Sequence, residues 1–127
     1  MSIVLYVDDE DAIRRALRSW LTRRGHTIYT AGSSEEAMSI LQQHDDIDAM
    51  FIDIWLGSES GFDLFEWVDM NRHTLIEHTA FVTGAIVRDS DVERSLAAFA
   101  RPILTKPFEL AGLERMITAW SDHQSEA

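Results

Sequence analysis

Polar side chains stand where four apolar runs of this 127-residue chain stop. Asp8-Asp9-Glu10 follows Ile3–Val7, Asp53 follows Ala49–Ile52, Thr83-Gly84 follows Ala80–Val82, and Lys106-Pro107 follows Pro102–Thr105. Asp53 is succeeded by Ile54-Trp55-Leu56, and a carboxylate within so apolar a stretch needs a partner or a cation. Taken singly these are weak signals. Acids after a strand serve the dipole of the next helix, Thr-Gly serves a turn, and a lysine before proline serves as a solvated loop charge. Taken together they suit a phosphoryl group. Two carboxylates about 4 Å apart repel by roughly 4 kcal/mol at an effective dielectric near 20. Asp8, Asp9 and Asp53, if brought together, therefore demand a shared proton or a cation. With no cysteine in the chain and no histidine nearby, the oxygen set suits a hard ion such as Mg2+. Lys106, the only lysine among eleven basic residues, adds a fixed ammonium, and Thr83 adds a hydroxyl. A carboxylate nucleophile among a metal, an ammonium and a hydroxyl is equipped for phosphoryl transfer.

Such a meeting requires elements that end at one edge. Short apolar runs alternate with helical periodicities five times along the chain. The strands are expected at Ile3–Val7, Thr27–Ala31, Ala49–Ile52 leading into Asp53, Ala80–Thr83 and Pro102–Thr105. Helical stripes follow each: Ile13, Leu17, Trp20 and Leu21; Ala37, Ile40 and Leu41; Phe62, Phe65 and Val68; Val92, Leu96 and Phe99; and Leu110, Leu113, Ile117 and Trp120. Ser33 and Glu36 have capping-box spacing, repeated at Ser90 and Glu93, and Gly25 suits a left-handed helix end. Gly57–Gly61 reads as a loop. The alternation implies an α/β fold, a five-stranded parallel doubly wound sheet with five helices, in one domain over residues 1–127 with its core at about 3–120. Ligands of such sheets bind beyond the carboxyl ends of the strands, where the polar residues lie.

Composition narrows the partners. Twenty-two acids against eleven bases give a net charge of −11, which disfavours direct binding to nucleic acid or to an anionic membrane. The absence of cysteine removes disulfides, thiolate catalysis and thiolate metal sites. Met1–Val7 has no basic segment and no long apolar core, and no run approaches the ~20 apolar residues of a membrane helix, so a cytoplasmic domain is expected. The five histidines at 26, 44, 73, 78 and 123 show no metal-ligand spacing, and Trp20, Trp67 and Trp120 read as core or interface aromatics.

The ordered set Asp8-Asp9, Asp53, Thr83 and Lys106-Pro107 resembles the response-regulator receiver domain, the CheY-like fold of two-component signalling, over residues 3–120. The resemblance implies that Asp53 is the phosphoacceptor, taking a phosphoryl group from a histidine kinase or phosphotransfer protein. It implies that Asp9 binds Mg2+ directly, Asp8 largely through water, and Trp55 through its backbone carbonyl. Lys106, joined to Pro107 by a cis bond, would hold a phosphoryl oxygen, and Thr83 would move toward another. An output surface, with dimerisation through it, is implied at about residues 88–120, directed to an output partner or an attached output domain. A receiver assists its own phosphorylation and dephosphorylation without being an enzyme in the usual sense.

The sequence departs from the pattern at two places. Ile103 stands where the switch aromatic is common, and Gly57 where proline is usual, which leads us to expect a more mobile loop. Trp55 either shields an aspartyl phosphate from water or merely packs on that loop. Other readings are weaker. An aspartyl phosphatase needs a second Asp two residues after its nucleophile, where Glu10 stands. The acidic turn would repel the phosphate of a flavin nucleotide, and no Gly-x-x-x-x-Gly-Lys is present. A receiver-fold binding module that works unphosphorylated would not need the intact acid set.

Overall fold

The computed structural model describes residues 2–84 and 90–125. The start of the expected 88–120 output surface and the end of the polar tail lie outside them, as does the cap of the helix opened by Ser90. The elements run β1 (Ile3–Val7), α1 (Asp11–Arg23), β2 (Thr27–Ala31), α2 (Ser34–Gln43), β3 (Ala49–Asp53), β4 (Trp55–Leu56), β5 (Glu59–Ser60), α3 (Gly61–Asn71), a 3-10 helix (His73–His78), β6 (Thr79–Thr83), α4 (Ser90–Phe99), β7 (Ile103–Thr105) and α5 (Leu110–Ser125). Five strands form one parallel sheet in the order β2-β1-β3-β6-β7. The chain winds outward from β1 to one side and then returns to the other, which makes the fold doubly wound.

Period-two alternation sorts the strand side chains onto two faces. Leu5, Val7, Met50, Ile52 and Phe81 pack with residues of α2 and α3 and with Val92 of α4. Val4, Tyr6, Ala49, Phe51, Ala80 and Val82 pack with Leu17 and Leu21 of α1 and Leu113 and Ile117 of α5. Both faces are thus covered, and the central strands are buried and largely apolar, as a parallel sheet requires. Trp67 packs against the first cluster, and Trp20 and Trp120 against the second.

Local signals explain where the helices begin and end. Ser33 accepts the backbone N–H of Glu36, while Glu36 reaches back to the N–H of Gly32, a capping box displaced by one residue. Gly25 follows α1 with φ 91°, the left-handed conformation that glycine adopts freely.

Gly57–Gly61 is not the loop the sequence suggested. Trp55 and Leu56 pair antiparallel with Ser60 and Glu59, and Gly57 at φ 64° takes the first turn position. A two-residue hairpin favours glycine there, so the residue that departs from the usual proline shapes a ribbon. Ser60 then caps α3 by accepting the N–H of Phe62.

Candidate functional site

β1 and β3 are neighbours, with Val7 opposite Ile52, so the acids that end these strands meet. Carboxylate oxygens of Asp8, Asp9 and Asp53 lie within 4.8 Å of one another. Asp8 and Asp53 are buried, whereas Asp9 is exposed. β6 pairs with β3 on its far side and β7 with β6, which brings Thr83 and Thr105 side by side at the same edge. Lys106 follows directly, and its backbone N–H donates to the carbonyl of Thr83 at 2.8 Å. Thr83 itself is buried. The Lys106–Pro107 peptide is cis.

The Lys106 ammonium is the hub of the cluster. Nζ lies 2.7 Å from Asp53 Oδ2, 2.9 Å from Asp8 Oδ2 and 2.8 Å from Glu10 Oε1. Burial alone would pull this ammonium down, but hydrogen bonds to Asp53, Glu10 and Asp8 outweigh it and hold it above the ordinary lysine value. Asp53 Oδ1 accepts the backbone N–H of Trp55 at 3.0 Å. Burial nevertheless pushes the Asp53 carboxyl above the usual carboxylate range, against the pull of Lys106 and the Trp55 N–H and with a smaller push from Asp8. Asp9 stands apart from the lysine, its Oδ2 accepting the N–H of Gly57 at 3.0 Å.

The site opens into a cavity of about 220 Å³ lined by Asp9, Glu10, Asp53, Trp55, Gly57, Gly84 and Lys106. Trp55 is half exposed at its mouth. Three clustered carboxylates are balanced by one ammonium, and the donors are all oxygen. That set fits a hard divalent cation, which would offset the residual negative charge. Among the described residues this is the one group of acids and histidines whose ligand atoms converge in this way. Four of the five histidines are engaged elsewhere. His26 binds Ser2 and Glu114, His44 stacks on Tyr29, His73 meets Asp69, and His78 stacks on Trp120.

Four residues of the arrangement carried no assigned role in the sequence reading. Glu10 is a third carboxylate on Lys106. Arg14 donates to the backbone carbonyl of Asp8 at 2.6 Å, holding the acidic turn from α1. Tyr6, fully buried, donates its hydroxyl to Asp8 Oδ2 at 2.7 Å; burial, then the Asp8 charge, pushes that phenol far above its ordinary value. Gly61 starts α3 against the backbone of Asp53. A signal existed for Tyr6 alone: a phenol in an otherwise aliphatic strand, two residues before Asp8 and so on its face.

A family model described as the response regulator receiver domain matches residues 4–118. The transcriptional regulatory protein AfsQ1 of Streptomyces coelicolor is 38% identical over 119 residues, 94% of this chain but 51% of AfsQ1. The chain thus spans about half the length of that relative. A response regulator receiver protein from Pseudomonas putida superposes with a TM-score of 0.81 at 28% identity, over 93% of this chain and 96% of that one. TrrA of Thermotoga maritima, a response regulator solved in complex with Mg2+–BeF, superposes with a TM-score of 0.74 at 24% identity, over 94% of this chain and 99% of that one.

Proposed function

The chain belongs to the response regulator receiver domain family, and from that premise we propose that it is a phosphoacceptor whose acceptor residue is Asp53. One observation carries the reading. A buried carboxylate faces an open cavity with one oxygen 2.7 Å from the chain's sole lysine and two further acids beside it. A carboxylate oxygen of Asp53 attacks the phosphorus of a phosphohistidine on a kinase or phosphotransfer protein. The O–P bond forms as the P–N bond breaks, and the departing imidazole takes up a proton. Asp8, Asp9 and Asp53 would hold Mg2+, with the Trp55 carbonyl as a further oxygen. When bound, that ion supplies positive charge against the phosphoryl oxygens.

The chain's own residues do the rest. Lys106 orients Asp53 before reaction and stabilises phosphoryl oxygen afterwards. Phosphorylation replaces one carboxylate charge by about −2, and the Thr83 hydroxyl supplies the added donor. Because the Thr83 carbonyl holds the Lys106 N–H, movement at Thr83 is passed to β7 and the surface beyond it. Ile103 is exposed on that edge strand, so this transmission runs through backbone rather than through a buried aromatic.

The protein acts as a signalling domain over about residues 3–120, in the cytoplasm. No described helix is long and apolar enough to cross a membrane. Its output is a changed set of protein contacts, including self-association through about 88–120, with an output partner or an attached output domain. The −11 charge keeps the domain itself off DNA.

Incubation with Mg2+ and acetyl phosphate, followed by intact-mass measurement, tests the proposal. An adduct of one phosphoryl group that Asp53→Asn abolishes is the expected result. No adduct on the native chain overturns it in favour of a binding module that works unphosphorylated.

A further inference from the structure

We propose that Tyr6 is a positioning residue of the carboxylate site and sets its preference among divalent cations, by holding an acceptor position of Asp8 that a cation would otherwise take. The inference rests on the reading of Asp8, Asp9 and Asp53 as a Mg2+ site and goes beyond it.

Tyr6 occupies a place where the fold asks only for an apolar side chain. It is fully buried in the layer formed by Val4, Phe51, Leu17 and Leu21, and its ring lies 6.4 Å from that of Phe108. Phenylalanine would fill that space equally well. A buried phenol hydroxyl must find an acceptor, and the one it finds is Asp8 Oδ2, at 2.7 Å. Lys106 Nζ reaches the same oxygen at 2.9 Å. On the other oxygen, Oδ1 accepts the N–H of Glu10 at 2.9 Å.

A carboxylate offers about four acceptor positions, two on each oxygen. Tyr6 and Lys106 fill both on Oδ2, and Glu10 fills one on Oδ1. Asp8 therefore enters the site with a single open position, although it is wholly buried and fully surrounded. Asp9, by contrast, is exposed. Removing the Tyr6 hydroxyl opens a second position on Asp8 and leaves its backbone in place, because Arg14 holds its carbonyl and Asp8 N–H donates to Ala31.

The two ions that suit such oxygens respond differently. Mg2+ sheds its waters reluctantly and takes few carboxylates. Mn2+ accepts the same oxygen donors and exchanges water for them more readily. A newly available carboxylate oxygen thus favours Mn2+ over Mg2+.

Isothermal titration of the full chain with MgCl2 and with MnCl2, for the native protein and Tyr6→Phe, measures the ratio of the two dissociation constants. Tyr6→Phe is expected to shift that ratio at least threefold toward Mn2+. The same substitution made on an Asp8→Asn background is expected to leave the ratio within twofold, because the effect passes through Asp8. A smaller or opposite shift in Tyr6→Phe, or an equal shift on the Asp8→Asn background, overturns the role of Tyr6 while the Mg2+ site stands. Failure of the native chain to bind Mg2+ overturns the site reading and this inference with it. Thermal unfolding without metal, read in parallel, separates a variant that has lost its fold from one that has changed its ion preference.

Discussion

A side-chain carbon on Gly61 would lie 2.1 Å from the backbone oxygen of Asp53 and 2.8 Å from Ile52 Cγ2. The first residue of α3 is thus pressed against Asp53, and its N–H donates to the carbonyl of Ile54. Gly61→Ala must push helix and strand apart. Overpacking of this kind costs about 1–3 kcal/mol. We expect urea unfolding at a lower midpoint with an unchanged slope, together with slower labelling by acetyl phosphate because Asp53 is displaced. A native midpoint would refute this reading of the contact.

Burial raises the Asp53 carboxyl above the ordinary value despite the nearby ammonium, so its surroundings disfavour the charged form. Asp53→Asn removes that charge and leaves Lys106 with Asp8 and Glu10. In metal-free buffer near neutral pH the variant should be more stable, by about 1 kcal/mol. A melting temperature at or below the native value would contradict it. Saturating Mg2+ should narrow or reverse the difference, because only the native chain presents all three carboxylates.

Trp55 stands half exposed at the mouth of the cavity, its N–H on Asp53 Oδ1. We propose that the indole excludes water from one side of the Asp53 carboxylate. Trp55→Asn keeps the backbone donor and opens that side, so the aspartyl phosphate should hydrolyse several-fold faster once acetyl phosphate is removed. An unchanged half-life by intact mass would assign Trp55 to packing on the hairpin.

Away from the site, Glu114 joins α5 to the turn after α1. It accepts from Arg24 at 2.7 Å and from His26 at 2.9 Å. The hydrogen bond from Arg24 holds its carboxyl below the usual range, against an opposing effect of burial and with smaller help from the His26 hydrogen bond. A depressed carboxyl contributes stability above its unfolded value and loses it as pH falls through the folded one. Glu114→Gln should therefore lower stability at neutral pH and show a shallower loss below about pH 4. Solvent screening keeps the effect near 0.5 kcal/mol. Equal pH profiles for native and variant chains would dismiss the link.

The five sheet strands could be read to within a residue, since short β-branched and apolar runs announce strands. The meeting of Asp8, Asp9, Asp53 and Lys106 followed once those runs were taken to end at one edge. What stayed hidden depends on three-dimensional proximity without sequence periodicity. The β4–β5 ribbon has two residues per strand, too few for alternation to show. Glu10 was visible as a charge, but its contact with Lys106 spans 96 positions. Gly61 looked like a loop residue because nothing in the sequence marks how closely α3 approaches Asp53.

The ammonium at the centre of this cluster is carried by the end of β7, a three-residue edge strand with two exposed positions. Segments so short and open are the first to separate from a native structure. When β7 opens, Lys106 leaves with it, and Asp8, Glu10 and Asp53 lose the ammonium they share. The cluster is then both the reward for closing that edge and the force that resists its opening. Chemical competence and local folding of the sheet margin become one equilibrium, and an anion bound by Lys106 would be paid for in amide exchange at Ile103–Thr105.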